Sequence, residues 1–297
     1  MNTSTVLFVS PELLIQQILN GIFFGGQLAL MAVGLTLIWG VARVLNFAHG
    51  ALFMIGGFAG YFTVAATGSF VIGIVLATIV VFVLGGVVEY SLIEPLRGRE
   101  EFDMASIVLT LGVAFVLENL MRVSVGTTRR SVPSISGEVW RVMGINISVQ
   151  RLVIFVISVI AIAALFAFIT YTKLGLGIRA VAQDSETALL MGVRPKRIYA
   201  ITFAVAAALA GLAGILLAPI FTVYPGVGWE PFLLAFIVVM VGGLGSVRGT
   251  LVAALFLAVV RSVSMIWVSS EGAMVLLFGI MIFVLVANPD GIGGWLE

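Results

Sequence analysis

Runs of apolar residues long enough to cross a bilayer alternate with short polar stretches along almost the whole chain. They fall near residues 13–39, 50–66, 70–90, 104–121, 151–170, 198–219, 231–247, 249–266 and 273–288. A hydrocarbon core about 30 Å thick takes roughly 20 helical residues to cross, and backbone polar groups within it must be satisfied inside the segment. The runs therefore predict helices. Some are short or broken by glycine, so they predict an all-α integral membrane protein with about 8–9 crossings and broken or re-entrant segments, residues 1–297 forming one domain. The first run exceeds the roughly 7–15 residues of a signal-peptide core and follows a stretch without Lys or Arg, so it reads as a retained membrane segment.

Polar connections lie near residues 91–103, 122–150 and 171–197. Cytoplasmic loops of membrane proteins hold the excess of Lys and Arg. Arg122, Arg129, Arg130, Arg141 and Arg151 flank one side, and Lys173, Arg179, Arg194, Lys196 and Arg197 the other. With alternating crossings, Arg43, Arg97, Arg99 and Arg248 join the Lys173 side, which makes nine against five and puts residues 171–197 in the cytoplasm. Small residues four apart recur at Gly21/Gly25, Gly56/Gly60, Ala207/Gly211 and Ala210/Gly214, a spacing that lets helix backbones approach closely in lipid.

Composition narrows the function. Apolar residues make up 61% and charged residues 10% of the chain, too little polar surface to face water on all sides. A net charge of +1 gives no broad attraction to nucleic acid. The chain has no cysteine and one histidine, which excludes a disulfide framework or a Cys/His metal cluster. The two lysines, Lys173 and Lys196, follow Thr172 and Pro195, so the Gly-Lys-[Ser/Thr] of a Walker-type phosphate loop is missing. If ATP powers this chain, a separate subunit hydrolyses it.

Three stretches stand out from generic membrane sequence. Asn46-Phe47-Ala48-His49-Gly50 sets polar side chains between two apolar runs, where they are costly unless they face a partner or a wet cavity. Gly242-Gly243-Leu244-Gly245-Ser246-Val247-Arg248-Gly249 is a second break. Broken helices in corresponding positions point to an inverted repeat around a central pathway, here residues 40–60 with 236–260, although a tight turn accounts for the glycines equally well. The pathway expected from these two breaks is narrow and mostly apolar, touched by Asn46, His49 and the backbone of Gly242, Gly243 and Gly245. In the third stretch Asp184 suits an N-cap, Glu186 the first helical turn, Gly192 a helix end and Pro195 the start of the next helix. A helix of about two turns over Ser185–Met191 follows, too short to stand alone in water, so it must dock on something.

Glu186-Thr187-Ala188 followed by Gly192 resembles the Glu-Ala-Ala, three residues, Gly loop through which ATP-binding-cassette importer permeases contact their ATPases, with Thr187 in place of the middle Ala. The fuller resemblance is to the H-type permease subunit of the branched-chain amino acid importers. It is carried by Gly34 to Gly40, Asn46 to Gly50, Gly177-Ile178-Arg179-Ala180, Ala208 to Gly214 and Gly242 to Ser246, in family order over about 215 residues. The family often has an acid after Asn-Phe-Ala-His-Gly, where this chain has Ala51.

The resemblance implies a pore shared with a second related permease, two ATPases that bind the ATP and Mg, a solute-binding protein outside, and no cofactor or nucleic acid on this chain. It implies a multi-pass protein of the bacterial inner membrane with Asp184, Glu186, Ala188, Gly192 and Arg194 in the ATPase-coupling loop 171–197. Relatives that carry urea, amides or aromatic acids leave the solute open. An ion-coupled transporter is the alternative class, weakened because Glu89 and Glu118 fall near segment ends and not deep in a span.

Overall fold

A computed structural model describes residues 10–142 and 144–295. Nine of its helices correspond to the nine apolar runs: α1 (Pro11–Ala42), α2 (His49–Thr67), α3 (Phe70–Val88), α4 (Phe102–Val125), α5 (Val149–Tyr171), α8 (Pro195–Leu217), α9 (Trp229–Gly242), α10 (Val247–Ser264) and α11 (Ser270–Ala287). Between α5 and α8 lie two helices of a different character, α6 (Lys173–Gln183) and α7 (Ser185–Leu190). Among the described residues eight helices are long and apolar enough to cross a membrane; α9, with 14 residues, spans only about 21 Å. A small antiparallel hairpin, β1 (Val139–Val142) with β2 (Ile145–Ser148), is an addition to the all-helical expectation.

Helix ends follow local chemistry. Ser10, Ser69, Ser246 and Ser269 each accept a backbone N–H in the first turn of α1, α3, α10 and α11. Beyond α3 the chain continues as a π-turn (Glu89–Ile93) and a short 3-10 turn (Glu94–Leu96). Pro95 explains the change of pitch, because it has no N–H and its ring would strike the carbonyl four residues back in a continuous α-helix.

The core is organised around α1 and α8. In their most apolar windows 83% and 72% of residues are buried, against 11% in α11 and 17% in α4, which present Val275, Phe283, Val286, Val108 and Leu120 outward. An apolar exterior of this kind suits lipid. The small residues do what their spacing predicts. A Cβ on Gly56 would strike the backbone of Gly211, and one on Gly21 would come within 2.7 Å of the Val259 Cα, so α2–α8 and α1–α10 pack backbone to backbone.

Two helices begin inside the bundle. After Arg43, whose backbone is left-handed (φ 56°) and whose N–H returns to the Trp39 carbonyl, the chain turns back inward. Phe47 N–H donates to the Thr110 hydroxyl at 3.2 Å, and that hydroxyl lies 3.2 Å from the Leu45 carbonyl, which sets the break about two turns inside α4. From the other end of the molecule, residues 218–228 descend after α8, and Trp229 Nε1 donates to Glu118 at 2.9 Å, about two turns inside the far end of α4. α2 and α9 thus start head to head and run in opposite directions, with Gly50 against Gly228. The mirrored breaks are residues 43–48 and 218–228, a correction to the pairing of 40–60 with 236–260. The Gly242–Gly249 stretch is instead the tight turn from α9 to α10: Gly243 and Gly245 have φ of 95° and 90°, and Ser246 N–H donates to the Gly243 carbonyl.

Candidate functional site

Asn46 and His49 are buried, with 1% and 0% exposure. Asn46 Oδ1 accepts the Ala48 N–H at 3.0 Å, which stabilises the turn into α2. His49 Nε2 lies 3.1 Å from the Met31 carbonyl and pins the first residue of α2 to the middle of α1, where Gly34 leaves room for the ring. Gly242 packs on Thr250, Gly243 on Asp290, and Gly245 on Gly40. Asn46, His49, Gly242, Gly243 and Gly245 line none of the described cavities. Ala51, where the family often has an acid, lines a small pocket together with Glu118.

The principal cavity lies elsewhere. A space of about 320 Å³ is bounded by Leu28, Met31, Phe53, Leu217 and Leu234 on its apolar side, and by Gln27, Arg129, Glu230 and Arg261 on its polar side. A second space of about 560 Å³ reaches Gln17, Asn20, Arg151 and Ser270, and shares Phe24, Gln27, Phe221, Glu230 and Arg261 with the first. Together they form one cleft that runs from the end holding the β-hairpin into the bundle. Arg261 Nη2 donates to Glu230 at 2.9 Å and to the Ser270 hydroxyl at 3.3 Å, and its guanidinium sits 5.1 Å from the Phe24 ring centre.

Sequence reasoning missed Gln27, Glu230 and Arg261. The signal was present: Arg261 is an ionisable residue inside the apolar run 249–266, a position that marks function by default. Beside its apolar wall, the cleft is lined by the charged side chains of Arg129, Arg151, Arg261 and Glu230.

At the opposite end, the basic one, Arg97 joins four elements. Its guanidinium pairs with buried Glu89 at 2.7 Å and with Glu94 at 3.1 Å, donates to the Ala42 carbonyl at 3.2 Å, and stacks 3.8 Å from the Tyr199 ring centre. Lys196 reaches Glu94 at 3.2 Å. The last residue of α1, the end of α3 and the first turn of α8 are therefore tied together.

Beside this knot α7 projects. Asp184 caps it by accepting the Glu186 and Thr187 N–H groups at 2.9 and 3.1 Å. The Thr187 hydroxyl, then the Thr187 and Glu186 backbone N–H groups, hold the Asp184 carboxyl below its ordinary value. Gly192 closes the helix in the left-handed region (φ 86°), and Arg194 immediately precedes α8. Ala188 alone is buried in α7, while Leu189, Leu190 and Met191 are exposed by 57%, 87% and 81%. α6 is a helix within the stretch expected to be loop; it buries Ile178 and Val181 and carries Gly177 against Ile198 of α8.

The sequence matches the family described as the branched-chain amino acid transport system permease component over residues 17–285. It is 30% identical over 295 residues to the high-affinity branched-chain amino acid transport system permease protein LivH of Escherichia coli (strain K12), covering 94% of this chain and 95% of the relative. The corresponding BraD of Pseudomonas aeruginosa is 30% identical over 296 residues, with the same coverage. A probable branched-chain amino acid transport permease protein of Methanocaldococcus jannaschii is 27% identical over 296 residues, covering 94% of this chain and 92% of the relative. No solved structure matches.

Proposed function

This chain belongs to the branched-chain amino acid transport permease family and is the multi-pass membrane subunit of an amino-acid importer; on that premise we propose that α7 is the knob through which an ATP-binding-cassette ATPase drives it. The observation that carries the reading is the tip of α7, where three large apolar side chains stand exposed outside the spans on a helix anchored by Ala188 alone. Exposed apolar surface at a water-facing position marks a protein contact.

The basic end then lies in the cytoplasm of a bacterial inner membrane. Two ATPases hold ATP and Mg²⁺ below it, and a second related permease and an outer solute-binding protein complete the importer; the solutes are branched-chain or similar small neutral amino acids. Movement of α7 passes into α6 and α8, and the Arg97 knot couples α8 to α1 and α3. ATPase closure would rock these helices as a body, the usual form of alternating access.

The test is leucine uptake by the complete importer in proteoliposomes. ATP supplied on the ATPase side should drive uptake, and collapse of a proton gradient should leave it intact. Uptake abolished by that collapse and indifferent to ATP would assign the chain to the ion-coupled class.

A further inference from the structure

We propose that the cleft between α1, α9 and α10 holds the transported amino acid as a zwitterion, with Arg261 and Gln27 taking its carboxylate and Glu230 its ammonium group. The proposal rests on the amino-acid permease reading and names the site within it.

Three observations carry it. First, the side chain of Arg261 is only 11% exposed within α10, yet Nη2 makes its hydrogen bonds, to Glu230 and Ser270; among the described residues Nε and Nη1 have none. A buried guanidinium nitrogen without a partner inside a membrane helix is expensive unless the water or a ligand of a polar cleft completes it. Second, Gln27 is 3% exposed, lines both parts of the cleft, and its side chain makes no hydrogen bond among the described residues. Third, Glu230 is 60% exposed at its side chain and is held by Arg261 alone among the described cations, so it can receive an ammonium group without leaving its partner.

The pair sits where the polar mouth meets the apolar wall of Leu28, Met31, Phe53 and Leu217. An α-amino acid whose charged groups bridge this pair directs an aliphatic side chain onto that wall. The inner space of about 320 Å³ is at the small end of ordinary ligand pockets. Arg261 and Glu230 cancel as a pair, so a neutral zwitterion matches them, and a solute with only one charged group leaves one member unmatched, while Arg129 and Arg151 on the same lining add positive charge that favours the carboxylate end.

The test uses the assembled importer. Arg261→Gln and Gln27→Leu should each lower leucine uptake about ten- to hundredfold at wild-type complex yield, the loss of a charge-assisted hydrogen bond. Because the chain has no cysteine, Thr222→Cys, on the lining of the inner space and outside the proposed polar contacts, in a complex whose other subunits are made cysteine-free gives a second reading that needs no turnover. A cationic methanethiosulfonate should label Thr222→Cys from the side of the β-hairpin. Leucine should slow the labelling, while 3-methylbutylamine and 4-methylpentanoate at equal concentration should not. Absence of labelling, or labelling indifferent to leucine, overturns the site. So does unchanged uptake by both variants while the wild type transports. A wild-type complex that takes up no leucine with ATP would instead remove the function on which the site rests.

Discussion

The carbonyl of Gly50 occupies the place that a side chain on Gly228 would need. Through that contact the first turn of α2 and the start of α9 meet without side chains between them. Each helix emerges from a break that enters from a different end of the bundle.

Gly228→Val should therefore force the two helices apart and destabilise the protein by about 1–3 kcal/mol or more. Gly112→Val is the control, since nothing lies within 4 Å of a Cβ there. Thermal denaturation in detergent followed by size-exclusion chromatography should separate the two, with only Gly228→Val shifted. Equal midpoints would refute the contact.

Glu89 and Arg97 form a buried pair, and removal of one member leaves the other charge without compensation. Arg97→Leu should cost about 3–5 kcal/mol, and the double variant Glu89→Leu/Arg97→Leu should recover part of it. A double-mutant cycle on thermal stability measures the coupling. Strict additivity would mean that the pair contributes through packing alone.

His49→Leu and Asn46→Leu should weaken the α1–α2 junction by about 1–3 kcal/mol each, since each leaves a buried polar group without its partner. Uptake per assembled complex should change little. Slower uptake at unchanged thermal stability would place the two residues on the solute route.

At α7, Glu186→Lys, Gly192→Asp and Leu190→Asp should leave the chain inserted and assembled in the membrane while solute-stimulated ATP hydrolysis falls several-fold. Normal stimulation in all three would remove α7 from the ATPase contact.

The Asp184 cap should depend on pH in one direction. Its folded-state value is lowered, so its contribution is complete above the ordinary aspartate value of about 3.9 and is lost as pH falls through the lower folded value. Hydrogen exchange at Glu186 and Thr187 should show protection, after correction for intrinsic rates, that is constant from pH 5 to 8 and falls at more acidic pH. Protection that instead declined between pH 8 and 6 would contradict this assignment.

The apolar runs were legible because membrane helices state themselves in composition, and Asp184, Gly192 and Pro195 bounded α7 because caps are local. α6 was hidden, since Gly175 and Gly177 obscure the face formed by Ile178 and Val181. The second re-entrant break was written as Pro219, Pro225, Gly226 and Gly228, a turn-rich stretch less conspicuous than the glycine run at 242–249. The cleft was least legible. Gln27, Glu230 and Arg261 lie far apart in the chain, and only tertiary packing brings them together.

The meeting of α2 and α9 also has an electrostatic meaning. Each helix N-terminus carries the equivalent of about half a positive elementary charge, and neither start has a side-chain cap. About one unit of positive charge is therefore concentrated at the Gly50–Gly228 junction, inside a medium that screens it poorly. Glu118 lines that junction, bonds to Trp229 and pairs with Arg122 at 2.7 Å. Its carboxylate therefore faces the positive ends of two helices as well as its arginine.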